Sequence, residues 1–146
     1  MQFSGSTVIR APRQAAWDFL TDFESVASCG PGVDSLRVVD PLHAVVEARV
    51  GLGIISARFT VDLELTEVAA PDRAVIRAHG DAPGTQVEGT GTMRLSGAAE
   101  GPTTLAWEAE VEILGALAGI GARMIEGTAG RMVEDVFDCF RTKLER

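Results

Sequence analysis

The sequence has no tyrosine, two histidines and two cysteines among its 146 residues, so side chains that usually carry proton transfer, metal ligation and nucleophilic attack are scarce. Basic residues are also few: 13 Lys and Arg stand against 21 Asp and Glu, a net charge of −8. No Lys- or Arg-rich run occurs, which sets the chain against nucleic acid, whose phosphates demand a concentrated basic surface. Long apolar runs are missing as well. The charge-free stretch from Ile113 to Ala122 is about half of what a bilayer span requires. The opening residues Met1-Gln2-Phe3-Ser4-Gly5 lack the basic and apolar regions of a secretory signal, and the expected compartment is the cytoplasm. Two cysteines, Cys29 and Cys139, are too few for a disulfide framework and agree with that expectation. What remains, with 46% apolar residues, is a single domain over 1–146, long enough to bury a core.

Hydrophobic periodicity divides the chain into three parts. Gln2 to Arg10 reads as a strand and ends at Ala11-Pro12, where proline favours the first turn of a helix. Pro12 to Asp22 carries Ala15, Ala16, Trp17, Phe19 and Leu20 on one helical face, and Glu24 to Cys29 forms a second short helix before Gly30-Pro31-Gly32. From Val33 to Ile113 the period is two, broken by turn signals at Asp40-Pro41, Gly51-Leu52-Gly53, Ala70-Pro71-Asp72, Ala82-Pro83-Gly84 and Gly101-Pro102, which leaves six strands. The clearest puts Ile55, Ala57, Phe59, Val61, Leu63 and Leu65 on one face and Ser56, Arg58, Thr60, Asp62 and Glu64 on the other. Such alternation marks an antiparallel sheet with one solvated side. After Ile113 the helical period returns, without proline from Leu114 to Leu144, and one long C-terminal helix is expected to cover the dry face. The architecture is α+β in the helix-grip order: a strand, two short helices, six antiparallel strands and a long helix, with a seven-stranded sheet wrapped around that helix.

Many inward positions hold residues too small to fill a core to native density. Ala44, Ala48, Ala57, Ala78, Gly89, Gly91 and Ala109 lie in phase with the dry face, among the larger Phe59, Val61, Met93 and Trp107. A helical wheel run from Gly115 adds Gly119 and Ala122 from the opposite side. Either sheet and helix approach closely, or a space of ligand size lies between them. The same wheel centres Glu126 on the inward stripe, where it either reaches solvent at a cavity mouth, pairs with an arginine, or bonds a polar group of a ligand. It also turns Leu114, Leu117, Ile120 and Met124 away from the sheet. These four are either covered by a neighbouring loop or form a docking surface for a membrane or partner, with Arg123 and Arg131 at the flank. The negative charge argues against attraction to anionic lipid as the main force there.

His43 and His79 are in phase with the polar face and read as surface residues. No two of Cys29, His43, His79 and Cys139 have metal-ligand spacing, so no metal or other cofactor is expected. Cys139 reads as a small buried thiol, and Cys29, just before the Gly-Pro-Gly loop, reads as structural filler with no base near it in sequence.

Local sequences sharpen the helix-grip reading. Met1 to Ser6, Ala11-Pro12 with Trp17, Cys29-Gly30-Pro31-Gly32, Arg49-Val50-Gly51, Gly89-Thr90-Gly91 and Leu114 to Arg123 together resemble the carbon monoxide dehydrogenase CoxG family of START-like, SRPBCC proteins. The resemblance implies an apolar cavity between sheet and last helix, of about 300 Å³ or more. It assigns the cavity wall to Ala48, Phe59, Val61, Ala78, Gly89, Gly91, Met93, Trp107, Ala109, Gly119, Ala122 and Glu126. It further implies a non-enzymatic accessory role: binding of an apolar, quinone-like molecule, and association with a molybdenum-containing oxidoreductase of the carbon monoxide dehydrogenase type at the inner face of the cell membrane. The competing expectation is a small polyketide cyclase or aromatase. Related enzymes place Tyr, Arg or His in the cavity for proton transfer, and the inward faces here carry almost nothing titratable.

Overall fold

The computed structural model describes residues 1–52 and 55–146, with the backbone alone for Leu52 and Ile55. The turn expected through Gly53 and the inward placing of Ile55 therefore lie outside the described residues. The chain runs β1 (Gln2–Ile9), α1 (Arg13–Leu20), α2 (Phe23–Ala27), β2 (Val33–Asp40), β3 (His43–Leu52), β4 (Ile55–Ala69), β5 (Arg73–Ala82), β6 (Thr85–Ser96), β7 (Thr103–Gly115), a 3-10 turn (Ala116–Gly119) and α3 (Ala122–Leu144). The seven strands form one antiparallel sheet in the order β1-β7-β6-β5-β4-β3-β2. The α+β helix-grip arrangement read from the sequence is the one observed. Helix α3 touches both β1 and β3, strands near opposite margins of the sheet, so the sheet curves around it.

Local chemistry accounts for the elements that frame the interior. Pro12 precedes the first turn of α1, where its missing N–H costs nothing. Ala16 and Trp17 of α1 pack into a cluster with Ile9, Leu95 and Leu105. Asp22 caps α2 by accepting from the Ser25 N–H and hydroxyl, which satisfies a helix donor that has no partner inside the helix. A second cluster gathers Phe23, Ala44 and Leu65, and a third joins Phe59 to Leu117. A packed domain of this size ordinarily has one contiguous core. Three separate clusters mean that the middle of this one is not filled.

Two expectations require correction. The C-terminal helix does not begin at Leu114. Strand β7 continues to Gly115 and the helix starts only at Ala122, because Gly115 and Gly121 adopt φ of 94° and 108°, a region that breaks a right-handed helix and that side-chain-bearing residues avoid. Gly115 also lies so close to Gly84 that a Cβ there would come within 2.1 Å of the Gly84 carbonyl oxygen. A wheel run through residues 115–121 therefore assigns the wrong phase to everything that follows.

The second correction concerns the cysteines. They are not separate thiols: Cys29 and Cys139 are joined in a disulfide across 110 residues of sequence, with Cα atoms 5.6 Å apart. Helix α3 brings Cys139 back beside the end of α2, a proximity that spacing along the chain does not reveal. Disulfides are the mark of oxidising compartments in most organisms, so the cysteines no longer support the expectation of a cytoplasmic location. Among the described residues, no helix is long and apolar enough to cross a membrane.

Candidate functional site

The unfilled interior is an apolar cavity in two lobes between the concave face of the sheet and α3. The first lobe, about 410 Å³, is floored by Ile76, Gly91, Met93, Trp107 and Ala109. Leu20 of α1 and Val26 of α2 wall one side, and Val136, Phe137 and Phe140 of α3 wall the other. The second lobe, about 380 Å³, is bounded by Ala48, Val50, Phe59, Val61, Ala78, Val87 and Gly89 from the sheet. Leu117 and the α3 residues Ile125, Thr128 and Ala129 close it. Met132 borders both lobes and stands between them. Each lobe lies within the size range of small-molecule sites.

The small residues singled out in the sequence are what opens this space. Glycines at 89 and 91 on β6, opposite Val111 and Ala109 on β7, leave a trough where Leu or Ile would fill the gap. At Gly89 an added Cβ would meet only the Glu110 carbonyl oxygen at 3.8 Å and Val111 Cγ2 at 4.0 Å, so the space there is real. Trp107 lies across Gly5 of the adjacent strand β1, close enough that a Cβ on Gly5 would come within 3.1 Å of the indole. Its ring meets Phe137 edge-on at 5.9 Å, a favoured aromatic geometry. Its Nε1 is the one buried side-chain nitrogen or oxygen without a hydrogen-bond partner among the described residues.

The wall chemistry is almost wholly neutral. Among the described residues, no ionisable side chain lines the second lobe. Glu108 borders the first, but its carboxylate accepts from Arg94 at 3.1 Å and is well exposed, on the solvent face of the sheet. Inside, the polar groups are hydroxyls and the indole: Thr128, nearly buried, accepts from Arg131 at 3.3 Å. Such walls select a guest by size and shape, with few directional bonds.

The structure brings together nine of the wall residues expected from sequence: Ala48, Phe59, Val61, Ala78 and Gly89 in the second lobe, and Gly91, Met93, Trp107 and Ala109 in the first. Three fall elsewhere. Gly119 and Ala122 are exposed, and Glu126 points to solvent rather than inward. The helix break at Gly121 rotates the inward stripe to Ile125, Thr128, Ala129, Met132 and Val136, which have the spacing i, i+3, i+4, i+7, i+11 that a wheel begun at Ala122 would have shown. The four residues expected to face outward also divide. Leu117 is buried against Phe59, and Ile120 packs on the same cluster, while Leu114 and Met124 remain 48% and 44% exposed. Leu117 is thus part of the cavity wall, and the outward apolar surface is reduced to two side chains.

Beyond β7 a larger, polar groove of about 720 Å³ is bordered by Arg77, Glu88, Glu110 and Glu112, and shares Gly89, Val111, Ile113 and Ile125 with the second lobe. Its charged walls belong to the solvated side of the sheet. Water fills such a groove without cost, whereas the apolar lobes gain by exchanging water for hydrocarbon.

Both histidines are held on the surface by carboxylates. His43 lies 2.9 Å from Asp40 and 3.0 Å from Glu64, and its pKa is raised, first by the hydrogen bond to Asp40 and then by that to Glu64. His79 sits between Glu88 and Asp81, and its pKa is raised, mainly through the hydrogen bond to Glu88. Neither reaches the cavity. No group of three or more His, Cys, Asp or Glu among the described residues has the geometry to hold a metal ion.

A sequence model for the carbon monoxide dehydrogenase CoxG family matches residues 5–145. No curated protein matches the chain. A conserved protein from Geobacillus kaustophilus superposes with a TM-score of 0.91 at 21% identity, over 99% of this chain and 95% of that one. A START superfamily protein from Mycobacterium smegmatis superposes with a TM-score of 0.72 at 14% identity, over 99% and 97%. The Zhui aromatase/cyclase from Streptomyces sp. R1128 superposes with a TM-score of 0.74 at 19% identity, over 100% and 94%. At these identities the three structures show a shared START-like fold and nothing finer.

Proposed function

This chain belongs to the carbon monoxide dehydrogenase CoxG family, and we propose from that membership and from the two-lobed cavity that it carries a lipophilic molecule and performs no chemistry on it. The observation that supports this reading most is the wall itself: two lobes of about 410 and 380 Å³ whose facing side chains are apolar, with no carboxylate, imidazole or amine turned inward among the described residues. A catalyst of cyclisation or hydrolysis needs an acid or base within hydrogen-bond reach of its substrate. A carrier needs only shape, dryness and a way to release its load.

The carried molecule, in this proposal, is quinone-like: a flat ring system for the lobe lined by Trp107 and Phe137, with an apolar extension past Met132 into the second lobe. The partner is a molybdenum-containing oxidoreductase of the carbon monoxide dehydrogenase type, an assignment that rests on family membership. Contact with the cytoplasmic membrane surface belongs to the same proposal, with Leu114 and Met124 as its exposed apolar residues. The test is native mass spectrometry of protein purified from its own host, followed by solvent extraction. Release of a neutral apolar molecule in near one-to-one ratio supports the carrier. Turnover of a polyketide or ester by the purified chain would overturn it in favour of an enzyme.

A further inference from the structure

The disulfide lies where it can control the first lobe. That lobe is walled on one side by Leu20 and Val26 of the α1–α2 segment and on the other by Val136, Phe137 and Phe140 of α3. Cys29 follows Val26 by three residues, and Cys139 sits between Val136 and Phe140 on the helix, so the covalent bond joins the two walls directly. Other ties between these walls are weaker. Lys143 donates to the Ser28 hydroxyl at an exposed site, and Phe19 meets Phe140 edge-on at 5.5 Å. Without the covalent tie, the α1–α2 segment is left to an exposed hydrogen bond and apolar contact with α3.

We propose that Cys29 and Cys139 are a redox-active pair whose disulfide latches the first lobe shut and whose reduction by a dithiol frees α2 from α3 to let a bound molecule leave. The inference rests on the carrier reading for its consequence, but not for its mechanism. Cys29 is buried, at 7% exposure, whereas Cys139 is partly exposed. A thiolate of the dithiol therefore attacks Cys139 Sγ, breaks the bond between the two sulfurs and expels Cys29 as thiolate. The second thiol of the reductant then displaces Cys139 from the mixed disulfide. The products are two protein thiols and one oxidised dithiol, and two electrons pass from the reductant to the protein. A thiol pair that opens and closes in this way is a switch acting on packing between two elements, which is the usual form of redox regulation.

The experiment compares oxidised protein, protein reduced with dithiothreitol, and the Cys29→Ser/Cys139→Ser variant, each loaded with the neutral fluorescent probe N-phenyl-1-naphthylamine. Circular dichroism confirms that all three are folded. The latch predicts probe dissociation at least tenfold faster in the two unlatched forms, with the reduced protein returning to the slow rate on reoxidation. Equal dissociation rates in all three would overturn it. Hydrogen exchange in the probe-free protein reads the latch independently: reduction should lower protection in Phe23–Ala27 and in residues 133–140, and unchanged protection there contradicts the proposal. Failure of the oxidised protein to take up the probe would count against the carrier reading and leave the exchange result to decide the latch.

Discussion

The two ends of α3 are built on different principles. From Val133 onward the helix is anchored by large side chains and by ties to three other elements. Phe140 is 5% exposed and meets Phe19 at 5.5 Å and Phe137 at 5.9 Å, Cys139 is bonded to Cys29, and Arg141 donates to Thr7 of β1. From Ala122 to Arg131, by contrast, the helix carries Gly127 and Gly130 and turns only Ile125, Thr128 and Ala129 toward the sheet. Apolar burial is roughly proportional to area, so the C-terminal half contributes most of the docking energy of the helix, and the N-terminal half lies over the second lobe with little holding it. A helix fixed at one end and lightly held at the other is suited to cover a cavity whose contents change.

That contrast can be broken by mutation. The largest effect is expected at the anchored end: Phe140→Ala removes a buried ring that packs against two others and should cost about 3–5 kcal/mol. Thermal unfolding would then fall by on the order of 10 °C for a domain of this size. A change of the same size from Met124→Ser at the free end would reverse the comparison. Met124 is 44% exposed, and its substitution should stay within about 0.5 kcal/mol.

A smaller and opposite effect is expected from Gly130→Ala. A Cβ at Gly130 meets nothing within 4 Å, so the substitution should stabilise the free half by about 0.5–1 kcal/mol through lost backbone entropy of the unfolded chain. Differential scanning calorimetry checks it. If the looseness of this half matters for uptake, the variant should also load an apolar probe more slowly, which stopped-flow fluorescence would read.

The smallest effect is expected from pH, and it belongs to the sheet rather than to the helix. His43 and His79 have raised pKa values, through Asp40 then Glu64 and through Glu88 then Asp81. Their contribution is therefore complete below the ordinary value of 6.5 and is lost as pH rises through the higher folded-state values. Asp40, lowered mainly by its hydrogen bond to His43 from 3.8, contributes above that value and loses its contribution as pH falls below it. Melting temperature should decline slightly between about pH 6 and 9, and the decline should be shallower in His43→Gln/His79→Gln. A decline of equal slope in that variant would show that the histidine pairs do not couple to folding. All three groups are at the surface, where such pairs contribute little.

The same contrast decided what could be read from sequence. Strands were legible because each carries a strict alternation: Phe59, Val61, Leu63 and Leu65 face inward and Arg58, Thr60 and Asp62 do not, whatever their neighbours. The anchored half of α3 was legible for a similar reason, since Val133, Phe137, Phe140 and Leu144 are large and in phase. Around Gly115–Gly121 the signal fails. Glycine and alanine carry no directional preference, and a wheel drawn through them has no means of registering the two left-handed glycines that reset its phase. Glu126, Gly119 and Ala122 were misplaced inward and Leu117 outward by that one error. The disulfide was illegible for a different reason, because proximity across 110 residues is a property of topology and not of spacing.

Whether the lobes between sheet and helix are a site for an apolar guest or merely loose packing is decided most directly by calorimetric titration with N-phenyl-1-naphthylamine. The wild-type chain is compared with Gly89→Leu/Ala109→Leu, which places one plug in each lobe. Because overpacking can itself cost about 1–3 kcal/mol, the melting temperature is recorded with each titration. A guest site predicts saturable binding to the wild-type chain and at least a tenfold loss of affinity in a double variant that remains folded. A folded double variant that binds the probe as well as the wild-type chain would contradict it.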